Sequence, residues 1–393
     1  MSFYPLASST WGDEEQNALQ EVISTGKFTM GEQVKEFETK FAKHFGTKYS
    51  VMFNSGSSAN LALLAALRYD KNVKLPIGSN IIVPAVSWST TYYPVNQLGY
   101  ILNFVDIDVD TLNIDLSKVN AAINSDTSAI LAVNLLGNPC ELQMLKKIAS
   151  ENDLILIEDN CESMGATLNE RHSGTFGLAG TYSSFFSHHI STMEGGLVTT
   201  DSESLMQTLK SIRAHGWTRD LPDKNFVHDK TGDDWDDLYR FVLPGYNLRP
   251  LEMEAALGIQ QLNKLDNFVF QRRANAKYLD SISSKLRNYR FQKEIGNSSW
   301  FGFSIVLNGS LKGMRRQIIE MLSQHGIETR PIVTGNFTAN PVMHHMEYLP
   351  LPELINAQEI HENGFFVGNH HYPIFTQLDK LVEILAKFED DHE

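Results

Sequence analysis

Several short stretches of this sequence carry side chains that could do chemistry. The run Ser183-Ser184-Phe185-Phe186-Ser187-His188-His189 leads on to Glu194-Gly195-Gly196. An imidazole titrates near neutral pH and can move a proton. Paired histidines could also ligate zinc, but neighbours on an extended segment point to opposite faces, and no third ligand stands at a clear spacing. Their place beside Ser187 and Gly-Gly favours a polar site over a core. Ser55-Gly56-Ser57-Ser58-Ala59-Asn60 separates an apolar run from a helical one. Small residues in such a turn let backbone N–H groups and hydroxyls meet a phosphate at the positive end of a helix. An ordinary N-cap turn has the same composition. Glu158-Asp159 follows the apolar residues 154–157. A carboxylate beyond a strand end, in a dry site, can hold a positive charge on a ring nitrogen, although Asp159 could equally cap a helix. Trp88 follows Pro84-Ala85-Val86-Ser87 and could stack on a flat ligand or fill the core.

These groups need elements to bring them together. Residues 14–24 and 32–45 read as helices, the second with Val34, Phe37 and Phe41 on one stripe. Residues 49–54, 80–84, 100–105, 128–135, 154–158 and 180–184 read as strands. Helical patterns lie between them at 59–67, from 89 onward, at 116–123 and at 142–151. Apolar strands separated by helices predict an α/β fold, a mostly parallel sheet covered on both faces. Residues 251–286 carry a long helical pattern that could bridge to a second unit. A strand at 300–307 and helices at 312–325 and 377–387 predict a smaller α+β domain there. The expected division is a large domain over 1–250, with the bridging helix and small domain over 251–393. The polar, acidic residues 224–237 read as a surface excursion that could act as a flap.

Of the 393 residues, 42% are hydrophobic and 20% charged, and the net charge is −14. That sign argues against nucleic acid or an anionic membrane as the main partner, while a local pocket can still take a phosphorylated substrate. Cys140 and Cys161 are not in C-x-x-C or zinc-like spacing and are expected as reduced thiols. The opening Met-Ser-Phe-Tyr-Pro lacks the basic and apolar regions of a leader. No run approaches the roughly 20 apolar residues of a membrane span. A cytoplasmic protein without a bound metal is expected.

Taken together the stretches resemble the DegT/DnrJ/EryC1/StrS sugar aminotransferase family, pyridoxal-phosphate (PLP) enzymes of fold type I. The resemblance runs nearly end to end. Phe28-Thr29-Met30-Gly31, Ser55-Gly56-Ser57, Val83-Pro84-Ala85, Asp106-Ile107-Asp108, Gly137-Asn138-Pro139, Glu158-Asp159, Glu194-Gly195-Gly196, Arg213-Ala214-His215-Gly216 and Gly245-Tyr246-Asn247-Leu248-Arg249 all stand in family order. It implies an aspartate-aminotransferase-like fold. Gly56, Ser57 and Ser183 should hold the cofactor phosphate, and Trp88 should stack on its ring. Asp159 should pair with the ring nitrogen, with Glu162 near the ring hydroxyl. Asn247 should reach the phosphate of a partner subunit, so the active unit would be a homodimer. His215, Arg219 and Arg330 are candidate substrate contacts.

The family's lysine lies five residues after the phosphate serine and six before the glutamate of Glu-Gly-Gly. Counts from Ser183 and from Glu194 both reach His188, and His189 misses by one on each. This departure resembles the family's lysine-less 3-dehydratase branch, which acts on 4-keto-6-deoxy sugar nucleotides. Imidazole cannot form the covalent imine that lysine makes, but it remains a general base. The cofactor, as PLP or its amine form PMP, would then be held without a covalent bond. The leading expectation is glutamate-dependent removal of the C3 hydroxyl of GDP-4-keto-6-deoxymannose for lipopolysaccharide biosynthesis. The alternative is a glutamate-dependent sugar aminotransferase, for example one forming an 8-amino-3,8-dideoxy-octulosonate. A silent sugar-binding regulator is the third.

Overall fold

The computed structural model describes residues 2–73 and 75–392; Met1, where the opening read above begins, lies outside them with Lys74 and Glu393. A seven-stranded sheet runs in the spatial order Tyr49–Phe53, Gly196–Thr200, Ala179–Ser183, Ile155–Asp159, Thr127–Val133, Asn80–Pro84, Ile101–Val105. The last five are mutually parallel. Gly196–Thr200 alone runs against both its neighbours. The strands are almost wholly buried because both faces are covered. In Asn80–Pro84, Ile81 and Val83 enter a core with helices Gly56–Tyr69 and Glu203–Arg213, whereas Ile82 enters another with helix Leu142–Glu151. Each such fully buried aliphatic side chain contributes roughly 1.5–3 kcal/mol.

The strands and helices expected from the pattern are present, with ends displaced by a few residues. The helix Glu32–Phe45, the strand Asn80–Pro84 and the helix Leu142–Glu151 begin and end where expected. The strand Gly196–Thr200 and the helix Glu203–Arg213, which the pattern did not bring out, complete this part. The strand is short and begins inside Gly-Gly, which masks it. The helix is announced by Ser202, whose hydroxyl accepts from Leu205 N–H at 3.3 Å.

The helix Glu252–Ser283 spans 32 residues, about 48 Å. Its first half packs Ala255, Leu262 and Phe268 against the large sheet, and its second half gives Ala276 and Leu279 to a separate core. That core lies on an antiparallel sheet ordered Tyr289–Phe291, Gly302–Leu307, Gly364–Gly368, Thr329–Arg330. Tyr4, fully buried, belongs to the same core and pairs with Ile327. Among the described residues, no helix is long and apolar enough to cross a membrane. Residues 224–237 form a surface excursion that runs into the short helix Asp234–Leu238. It is tied to the fold by Phe226 N–H donating to Gln207 (2.8 Å) and to itself by Thr231 N–H donating to Asp237 (3.0 Å).

Candidate active site

Ala179–Ser183 and Gly196–Thr200 are adjacent antiparallel strands, so residues 184–195 form the loop between them. Ser184 N–H donates to Gly195 O (2.9 Å), Phe186 N–H to Met193 O (3.1 Å) and Thr192 N–H to Ser184 O (2.9 Å). The loop carries His188 over the carboxyl ends of the parallel strands, where open α/β sheets bind ligands. A cavity of about 380 Å³ lies there. Gly56, Ser57, Trp88, Asp159, Glu162, Ser183 and His188 all line it.

The phosphate turn becomes the start of helix Gly56–Tyr69, capped by Ser55, whose hydroxyl accepts from Ser58 N–H at 3.0 Å. The first N–H groups of the helix are thus presented at the cavity. A Cβ on Gly56 would stand 2.7 Å from Ser183 Cβ and 3.1 Å from Cys161 Sγ. Only glycine keeps open the recess between this helix start and the strand end. Ser57 Oγ donates to Thr90 Oγ1 at 2.9 Å, and Trp88, immediately before helix Ser89–Gln97, is 57% exposed at the rim.

Strand alternation separates the two carboxylates of Glu158-Asp159. Glu158 is fully buried and accepts from the N–H groups of Gly174 (2.6 Å), Phe176 (2.6 Å) and Gly177 (2.8 Å), which makes it structural. Asp159 faces the cavity. One of its oxygens accepts from Asn60 Nδ2 (2.9 Å) and Thr91 Oγ1 (2.7 Å), and the other from Cys161 N–H (3.2 Å). Asn60 is fixed in turn by Thr181 Oγ1, which donates to its carbonyl at 2.6 Å. Asn60 stood inside the small-residue motif, but Thr91 and Thr181 carried no sequence signal of this role. Glu162 accepts from Leu136 N–H at 3.0 Å. Burial, with the charge of Asp159 adding to it, pushes its carboxyl up to about 7.

His188 packs edge-on against Phe185 and Phe301, with ring centroids 6.0 and 5.2 Å away. Its Nδ1 is buried without a hydrogen-bond partner. Burial, then the positive charge of Arg272, pushes the imidazole down to about 4, so it is neutral at physiological pH. His189 is fully buried with Nε2 3.1 Å from Ser299 O, on the side away from the cavity. Among the described residues, no lysine lines the cavity. These residues fit a flat phosphorylated pyridine: an anion recess at Gly56, a carboxylate at Asp159 and a neutral base at His188. Phe301 was not foreseen as a site residue, because it reaches the cavity from the second half of the chain.

The other candidates lie elsewhere in the chain. Asn247 is exposed and accepts from Arg249 Nε at 2.9 Å. His215 (5.2 Å) and Arg219 (4.0 Å) flank the ring of Trp217, to which Arg249 also comes within 5.9 Å. Arg330 is exposed on the smaller sheet, and its guanidinium donates to Thr329 O at 3.0 Å. None of the four lines the cavity.

Comparison with known proteins agrees with this geometry. GDP-4-keto-6-deoxy-D-mannose 3-dehydratase of Escherichia coli O55:H7 is 52% identical over 387 residues, covering 97% of this chain and 99% of its own. A structure of the E. coli dehydratase with bound hydrated PLP is also 52% identical, covers 98% of this chain and 100% of that one, and superposes with a TM-score of 0.96. A GDP-4-keto-6-deoxymannose-3-dehydratase with a trapped PLP-glutamate geminal diamine matches at 52% identity over 97% of this chain and 100% of that one, with a TM-score of 0.95. The model of the DegT/DnrJ/EryC1/StrS aminotransferase family matches residues 9–385, and the chain belongs to that family.

Proposed function

We propose that this chain is a PLP/PMP-dependent sugar 3-dehydratase. It removes the C3 hydroxyl of GDP-4-keto-6-deoxymannose, with glutamate as amino donor, and so supplies a dideoxy sugar for lipopolysaccharide. One observation carries the reading: the cavity that gathers the helix start, Asp159 and Trp88 holds an imidazole at the family's lysine position and, among the described residues, has no lysine in its lining. The 52% identity to the E. coli dehydratase over nearly the whole chain supports the same substrate.

When bound, the cofactor supplies an amino group taken from glutamate and a ring that accepts the electron pair released beside it. The start of helix Gly56–Tyr69, with Ser57 and Ser183, takes its phosphate. Trp88 covers the ring face. Asp159, fixed by Asn60 and Thr91, pairs with the ring nitrogen, and Glu162 sits by the ring hydroxyl. Neutral His188 would take the proton from the cofactor carbon C4′ that bears the amino group and pass it to the C3 hydroxyl of the bound sugar, which would leave as water. With no lysine amine to displace the product, water releases it. The balance is ketosugar plus glutamate giving 3-deoxyketosugar, 2-oxoglutarate and ammonia. An aminotransferase would use a lysine amine to recapture the cofactor, and among the described residues the cavity offers none.

The active unit we propose is a homodimer, in which Asn247 meets the cofactor phosphate in the partner's cavity. The exposure of Asn247 and its distance from the cavity of its own chain support this. His215, Arg219 and Arg330 remain proposed contacts for the nucleotide diphosphate. Incubation with glutamate and GDP-4-keto-6-deoxymannose, followed by mass spectrometry of the sugar nucleotide, tests the function. Loss of one oxygen is expected, and an amino sugar would overturn the dehydratase in favour of the transaminase.

A further inference from the structure

Arg272, on the helix Glu252–Ser283, is 4% exposed. Its Nη1 donates to the carbonyls of Trp300 (3.4 Å), Phe301 (3.0 Å) and Asn369 (2.7 Å), and its buried Nε has no partner. Burying a cation is costly, and most buried cations face an acid. The other deeply buried arginine, Arg213, does so, meeting Glu38 at 2.6 Å. Among the described residues, Arg272 meets no such acid, only carbonyls. Two of these carbonyls, those of Trp300 and Phe301, belong to the segment that packs on the histidines. Phe301 lies against His188 at 5.2 Å and His189 at 5.8 Å, and Ser299 O meets His189. Trp300 within this segment has φ 48°, a left-handed conformation that a bulky residue adopts only under constraint. Asn369 completes the clamp, its Nδ2 donating to Trp300 O at 2.9 Å and to Arg272 O at 3.1 Å.

We propose that Arg272 is a positioning residue for the reaction. It fixes residues 299–301 against His188 and brings a buried positive charge to the segment that packs on the ring. This rests on the reading of His188 as the base. The groups facing His188 are Asp159, Cys161 and Glu162 across the cavity, Glu194 on its own loop, His189 beside it and Arg272 on the long helix, while Arg273 acts on His189. Beyond burial, the charge that acts on His188 is that of Arg272, and the same charge also lowers His189.

Because Arg272 neutralises no acid, its removal strands no buried counter-charge. R272M and R272Q preserve most of the volume, and R272K preserves the cation. The direct readout is the ring 15N shift of His188 against pH in the full chain, assigned by comparison with H188N and recorded without substrate. In the wild type the midpoint is expected well below that of a free histidine, and a midpoint near the ordinary value would overturn the proposal on its own. R272M and R272Q should raise the midpoint by roughly one unit, R272K should leave it in place, and the acid limb of kcat should move with it. A folded R272Q with an unchanged midpoint, or an R272K that shifts as far as R272Q, would refute the electrostatic role. Turnover retained in H188N would instead defeat the underlying reading of His188.

Discussion

At position 188 an imidazole keeps the proton-transfer capacity of the family's lysine and gives up its amine. His188→Asn should lower kcat about 10²–10⁴-fold while leaving the circular dichroism unchanged, and full turnover in that variant would remove His188 from the chemistry. Asp159→Asn removes the charge offered to the ring nitrogen. Its loss should weaken PLP binding roughly 10–100-fold, measured by titrating the cofactor's absorbance. The position of His188 was legible because two counts along one short segment converge on it. The groups that condition it were not legible. Phe301 and Arg272 join His188 from far along the chain, and Thr91 and Thr181 reach Asp159 and Asn60 across several strands. No local periodicity records such contacts. Asn247, His215, Arg219 and Arg330 show the converse, since family order placed them in sequence but the cavity of this chain does not include them.

At the scale of elements, the site depends on one reversed strand. Gly196–Thr200 runs antiparallel between Tyr49–Phe53 and Ala179–Ser183, which turns residues 184–195 into a loop held at both ends. The long apolar strands and amphipathic helices were legible from their periods. This strand was not, because its few apolar residues follow Gly-Gly and precede a helix cap. Beneath it, Arg213 at the end of helix Glu203–Arg213 meets Glu38 of helix Glu32–Phe45 at 2.6 Å and Met52 O at 2.7 Å. Both side chains are almost fully buried. Arg213→Met would leave Glu38 charged without its cation, with only the Met52 N–H (2.9 Å) still donating to it, and should cost about 3–5 kcal/mol, read from urea unfolding. A loss under about 1 kcal/mol would show that the pair contributes little.

For the whole molecule, the helix Glu252–Ser283 joins the core under the seven-stranded sheet to that of the four-stranded one. Tyr4, buried in the second core, ties the start of the chain to the far unit. The histidines give the molecule a characteristic acid response. Burial holds His188, His370 and His371 down to about 4 and also lowers His189, His44 and His172. Their unfolded forms bind protons near the ordinary value of about 6.5, so stability should fall as pH drops from there towards 4. Glu162 and Glu254, raised to about 7 by burial, act in the opposite sense over part of this window, but they are outnumbered. Calorimetry should give a lower Tm at pH 5 than at pH 7.5, and an unchanged or higher Tm would contradict the buried neutral histidines. The central claim, that this site holds its cofactor without a lysine, is tested most directly by borohydride reduction. The protein, loaded with one equivalent of PLP, is reduced, desalted under denaturing conditions and weighed by intact-mass spectrometry. The expected chain mass is that of the polypeptide alone; a chain carrying one reduced cofactor on a single lysine would contradict the claim.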